Sequence, residues 1–191
     1  MIRTIIIILI ICAFGACQDS GGLKHEAKSS INAFANSPKI DFEARLDSLG
    51  IELEKPSPPV ANYVNITQSG YILFLAGKGP KDAAGEYIRG KLGQDLTVKE
   101  GYEAAHRTAI AQLSVLKNHL GDLNKVKQIL KVKGMVNAIP EFTDHPEVIN
   151  GFSDTMVKVF GQKGKHARAA VGMGSLPRNI AVEIELVVET Y

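Results

Sequence analysis

An arginine set among small residues is the most chemically suggestive feature of this sequence. Arg168 stands in the run Ala167-Arg168-Ala169-Ala170, which leaves room for a planar guanidinium to be sunk into a cleft. The guanidinium presents N–H donors in a fixed fork that grips a carboxylate through two parallel hydrogen bonds, a geometry lysine cannot imitate. A surface ion-pair partner is the plainer reading, and the small neighbours favour the cleft. Glu183 and Glu185 are spaced by two, so on a strand they face the same way. Such a pair can perform acid–base work, or it can sit in salt bridges across a sheet. Metal and thiol chemistry find no support. The histidines (His25, His106, His119, His145, His166) lack metal-ligand spacing and read as surface or cap residues. Both cysteines, Cys12 and Cys17, lie at the extreme N-terminus, away from the part expected to fold.

These residues belong to a chain of 191, enough for one domain with a real core. Hydrophobic residues make up 45% and charged residues 22%, an ordinary globular composition, so a packed core is expected. A formal charge of +2 creates no field inviting nucleic acid. Lys125, Lys127, Lys131 and Lys133 form the densest basic group, but acidic segments flank it and it reads as a solvated face. No aromatic–basic platform for single strands stands out in the sequence. No nucleic-acid partner is therefore expected.

The first 39 residues read as an address followed by a tether. Arg3 supplies a positive n-region, and residues 5–11 form an apolar run too short to span a bilayer comfortably. Gly15-Ala16 then leads into Cys17, which resembles the end of a bacterial lipobox, with Phe14 where Leu is usual. The expectation is a signal peptide over residues 1–16, acylation of Cys17, and an exported, membrane-anchored lipoprotein of the bacterial periplasm or cell envelope. A plain secretory signal and an uncleaved anchor are the alternatives. Residues 17–39 shift to Ser, Gly, Asn, Ala and Lys, the composition of a flexible tether. Residues 40–191 are left to form the domain.

Within that domain the periodicities predict the order ββ, α, β, α, ββ. Phe42, Leu46 and Leu49 predict a short amphipathic helix, and residues 55–59 a polyproline-like spacer. Strands over 60–67 and 71–76 flank a Ser69-Gly70 turn signal, and a glycine-rich loop follows over 77–93. Thr97-Val-Lys-Glu100 is a capping box opening a helix that stops at Gly121. Residues 126–136 form a strand in which Leu130 and Val132 alternate with Lys131 and Lys133. A helix begins behind Thr143, Asp144 and Pro146 and ends at Gly161, and strands over 169–173 and 180–188 complete the set. The sum is an α+β layer with two helices on one face of a mixed sheet. In the last strand Ile180, Val182, Ile184, Leu186 and Val188 alternate with Glu183, Glu185 and Val187, so the second face also has something to bury or pair. A homo-oligomer interface would cover it.

The run Gly164-Lys-His-Ala-Arg-Ala-Ala-Val171, followed by Leu176-Pro177 and Val182-Glu-Ile-Glu185, resembles the closing signature of the Rid family (reactive intermediate deaminase, also called YjgF). Asn62-Tyr63, Leu75-Ala-Gly-Lys78 with Pro80, and Val148-Ile-Asn150 match in the same order, so the similarity runs from about Leu46 to Tyr191. The resemblance implies the bacterial chorismate mutase-like fold, a homotrimeric barrel with ligand sites in clefts between subunits. It implies cofactor-free hydrolysis of enamines and 2-imino acids to 2-oxo acids and ammonia. Carried over by residue, it implies that Arg168 binds the substrate carboxylate and Glu183 orients the attacking water. The Gly77 backbone would help position the ligand, and Tyr63 and Asn150 would line the cleft, Tyr63 from a neighbouring subunit. Ala76, Ala170 and Lys78 depart from the family's common Ser, Cys or Ser, and Gln, so the pocket loses hydroxyl or thiol contacts and gains a cation. The alternatives are a non-catalytic module binding small carboxylates and an endoribonuclease, an activity with which the family name is also associated. The implied partners are a small carboxylate or imino acid, further copies of the chain in a homotrimer, and the membrane through the lipid anchor.

Overall fold

The computed structural model describes residues 40–191, which pack as one unit. The expected signal peptide (1–16), Cys17 and the tether (17–39) lie outside the described residues. Helix α1 (Phe42–Ser48) starts at Asp41, whose carboxylate accepts from the Glu43 and Ala44 amides, and it buries Phe42 and Leu46. Strand β1 (Ile66–Ser69) turns through Gly70, at φ 57°, into β2 (Ile72–Lys78). Helix α2 (Val98–Leu120) is opened by the predicted capping box. The Glu100 carboxylate accepts from the Thr97 amide at 2.8 Å, and the Thr97 hydroxyl accepts from the Glu100 amide at 3.3 Å. Strand β3 (Val126–Asn137), helix α3 (His145–Phe160), strand β4 (Ala167–Met173) and strand β5 (Val182–Thr190) follow.

The strands form one sheet in the order β1-β2-β5-β3-β4, parallel between β3 and β4 and antiparallel elsewhere. Register sorts the side chains into two faces, because residues directly opposite one another point the same way. Leu75, Leu186 and Val132 stand in one row, and Leu73, Val188 and Ile129 in the next; all are buried beneath the helices. The opposite face carries Phe74, Val187 and Lys131, then Glu185 and Lys133, then Glu183, Met135 and Val171. This is the face for which the alternation in β5 predicts a partner. It stays partly open in the single chain, with Phe74 48% and Val171 39% exposed.

The helices cover the first face by close approach. A Cβ on Gly151 of α3 would fall 2.0 Å from the Tyr102 carbonyl oxygen of α2, so only glycine lets the two backbones meet there. Gly151→Ala should cost about 1–3 kcal/mol of stability, the range for overpacking a close-packed contact. Urea unfolding checks it, and an unchanged midpoint would mean the helices can separate without cost.

Three details differ from expectation. The strand expected over 60–67 begins only at Ile66, because Val60 and Val64 are exposed at 75% and 56% and have no face to bury. Leu130 does not share the Val132 face. A register shift between Ile129 and Lys131 inserts it as a bulge residue, so Ile129 and Val132 take the buried positions. The last strand begins at Val182, while Ile180 makes an isolated bridge with Arg89.

Candidate functional site

Arg168 lies on the edge strand β4 opposite Val132, so it rises on the helix side of the sheet and meets α3. Its Nη1 donates to Asn150 Oδ1 at 2.8 Å and to Ser153 Oγ at 3.1 Å. Asn150 and Ser153 are three apart on a helix and therefore share a face. Those two bonds use both hydrogens of Nη1. The Nε–Nη2 edge has no partner among the described residues, and no carboxylate there pairs with the half-buried guanidinium. The surface ion-pair reading of Arg168 finds no partner among the described residues. Behind Ser153 stands His166, with Nε2 3.0 Å from Ser153 Oγ and Nδ1 2.7 Å from the Gly164 carbonyl.

Glu183 lies on β5 opposite Met135, on the other face. Its carboxylate rests over Gly77, where a Cβ would come 2.3 Å from Oε1. Gly77 belongs to a bulge between Leu75 and Lys78, and the buried Gln112 braces it by donating to the Ala76 carbonyl at 3.0 Å and the Ile184 carbonyl at 2.8 Å. Burial pushes the Glu183 pKa up, the Glu185 charge adds to the rise, and Lys133 opposes it. Glu185 itself takes the structural role, pairing with Lys133 at 3.5 Å. No described residue donates a hydrogen bond to the Glu183 carboxylate.

One chain thus holds two candidate half-sites: Arg168 with Asn150 on the helix side, and Glu183 with Gly77 on the open side. Their rows, Val132 and Met135, are three residues or about 10 Å apart along β3 as well as on opposite faces. No small molecule touches both within one chain. Tyr63 is 47% exposed ahead of β1, and its hydroxyl makes no hydrogen bond with either group. Surface hollows of about 330 Å³ beside Phe142 and about 210 Å³ beside Asn65 contain none of these residues. Lys78, the added cation, donates to Asn65 Oδ1 at 2.6 Å, and burial followed by the Lys81 charge lowers its pKa. Among the described residues no cluster of His, Cys, Asp and Glu is disposed to hold a metal.

Sequence reasoning missed three contributors. Ser153 and His166 were legible only as residues sharing a face with Asn150 and Arg168, and Gln112 only as a polar residue in an apolar stripe. It also missed a surface cluster. Lys81, Arg89 and Arg178 gather at 5.4, 5.7 and 5.5 Å from the centre of the Tyr87 ring, the first two from the loop that carries Tyr87 and Arg178 from 91 residues beyond Tyr87. This is an aromatic–basic platform of the kind the sequence reading did not find.

Comparison with known proteins decides the family. Residues 43–190 match the family model described as "YjgF/chorismate mutase-like, putative endoribonuclease". The chain belongs to the YjgF/Rid family. The α+β layer seen here is accordingly the YjgF/chorismate mutase-like fold. Among relatives, protein TCP17 of Trypanosoma cruzi is 43% identical over 147 residues, covering 76% of this chain and 92% of TCP17. The crystal structure of Atu1372 from Agrobacterium tumefaciens superposes with a TM-score of 0.72 at 40% identity, covering 80% of this chain and 96% of that one. A structure from Shewanella oneidensis MR-1, again called a "putative endoribonuclease", gives a TM-score of 0.75 at 30% identity over 78% of this chain and 99% of that one. For this YjgF/Rid chain, the matched region includes every residue of both half-sites.

Proposed function

We propose that the protein binds a small 2-imino acid through Arg168 and hydrolyses it to the 2-oxo acid and ammonia, without a cofactor. The observation that carries this reading is the Arg168 fork: Nη1 is saturated by neutral acceptors, while the Nε–Nη2 edge is left for an anion. A carboxylate offers two oxygens at the spacing that edge requires. Because Glu183 faces the other side of the sheet, the ligand meets Arg168 and Asn150 of one copy and Gly77 and Glu183 of another, with Tyr63 closing the cleft. A homotrimer built through the open sheet face supplies that arrangement.

The chemistry asked of these residues is modest. Water adds to the C=N carbon, and the tetrahedral adduct expels ammonia to leave the keto group. Glu183 relays both water protons to the nitrogen, the first as the water oxygen bonds to carbon and the second from the resulting hydroxyl as the C–N bond breaks, and Arg168 holds the carbon where the water can reach it. We also propose that the domain is exported and held at a membrane by acylated Cys17. Palmitate labelling that is lost in Cys17→Ala supports this, and unlabelled wild type refutes it.

The test is ammonia release from 2-iminopropanoate generated in the assay, with the mature chain accelerating hydrolysis over buffer. If benzoate or pyruvate binds while hydrolysis stays at background, the protein is the binding module instead. The acid limb of kcat/KM should lie above the ordinary carboxylate range. The raised Glu183 pKa means the base is lost by protonation earlier as pH falls. A limb unmoved in the family of assays from pH 4 to 8 would remove Glu183 from the base role. The Tyr87 platform and the names of the relatives support a second reading, cleavage of single-stranded RNA. Cleavage by purified protein that disappears in Arg89→Ala and Arg178→Ala would favour it.

A further inference from the structure

Behind the ligand edge of Arg168, hydrogen bonds run inward in one direction. The Gly164 carbonyl can only accept, so the His166 nitrogen 2.7 Å away, Nδ1, carries the ring proton. Burial lowers the His166 pKa, the Gly164 contact opposes that, and the Arg168 charge adds to it. The ring is therefore neutral, and Nε2 presents a lone pair. Ser153 has one hydroxyl proton, and at 3.0 Å it goes to that lone pair. The Ser153 oxygen is then purely an acceptor on its remaining side, where Arg168 Nη1 donates at 3.1 Å. Asn150 Oδ1 takes the other Nη1 hydrogen at 2.8 Å. The rotation of the guanidinium plane is fixed by two acceptors, and one of them owes its polarity to the histidine.

We infer that Ser153 and His166 are positioning residues for Arg168, aligning its Nε–Nη2 edge for the ligand carboxylate. This rests on reading Arg168 as the carboxylate site. Neither residue touches the reacting atoms, so each acts on binding and leaves the chemical step alone. A Ser–His pair can also be a nucleophile and its base. Here the serine oxygen already accepts from a guanidinium, and it sits within the third turn of α3 rather than at an exposed strand–helix turn.

The experiment uses calorimetry on the mature chain with benzoate and with pyruvate. Ser153→Ala and His166→Leu should each raise Kd about three- to tenfold, the worth of one oriented neutral hydrogen bond. His166→Gln should restore near wild-type Kd, since its Oε1 supplies an acceptor where Nε2 stood. Where hydrolysis is measurable, KM should rise in the two damaging variants with kcat unchanged. If Arg168→Ala abolishes binding while Ser153→Ala and His166→Leu leave Kd alone, the positioning role is wrong and the carboxylate site stands. Wild-type binding retained in Arg168→Ala, or no binding by wild type, overturns the carboxylate site and the role assigned to its supports together. A ligand-free readout stands beside these. Nitrogen NMR of His166 should show the Nδ1–H tautomer, and an Nε2–H tautomer overturns the relay whatever binds. Covalent labelling of Ser153 by a fluorophosphonate would also overturn it, by making the serine a nucleophile.

Discussion

Arg168→Ala is expected to raise the Kd for benzoate and for 2-oxo acids by about a hundredfold, the worth of charge-assisted hydrogen bonds to one carboxylate. Its effect on folding should be small. The side chain is half-buried on an edge strand, and among the described residues it holds no ion pair whose loss would strand a buried charge. The acceptors it leaves behind, Asn150 Oδ1 and Ser153 Oγ, belong to partly exposed residues that water can reach. Arg168→Lys separates charge from shape. An ammonium keeps the cation but cannot hold Asn150, Ser153 and both carboxylate oxygens in one plane, so most of the loss should persist. Calorimetry on the three proteins decides the matter, and Arg168→Lys binding as tightly as wild type would leave only a generic positive site.

The helix pattern was readable because it depends on local signals. The Thr97–Glu100 box, Pro146 near the start of α3, and the glycines after both helices act within a turn or two of chain, and each lies where the structure places a helix end. The strands were less legible at their margins, because bulges answer to neighbours rather than to alternation. Leu130 fits a period-two pattern as well as Ile129 does, and only the register with β5 puts it off the core face. For the same reason, Gly77 beside Glu183 is a product of the β2 bulge and of the Gln112 brace on a different helix. Arg168 was singled out by its small neighbours and Asn150 by the family resemblance, whereas Ser153 and His166 gain meaning only once α3 lies against β4. The Tyr87 cluster takes Lys81 and Arg89 from the loop that carries Tyr87 but Arg178 from 91 residues beyond it, so a window along the chain shows the two loop cations without the third.

Glu183→Gln should lower kcat about 10²–10⁴-fold, the usual contribution of a positioned general base, with carboxylate binding kept. The substitution retains shape over Gly77 and removes only the basic lone pairs, so a loss of binding instead would mean that Glu183 holds the ligand rather than the water. The division of the site between two sheet faces makes a stronger demand. An Arg168→Ala chain keeps an intact Glu183–Gly77 half, and a Glu183→Gln chain keeps an intact Arg168–Asn150 half. If each cleft joins unlike halves of two copies, unfolding and refolding the two inactive proteins together at equal amounts should recover activity. About a quarter of the clefts in a random cyclic assembly would then carry both intact halves. Each protein refolded alone stays inactive. A mixture as inactive as its components would place both groups in a site made by one chain, against the opposite facing of Arg168 beside Val132 and Glu183 beside Met135.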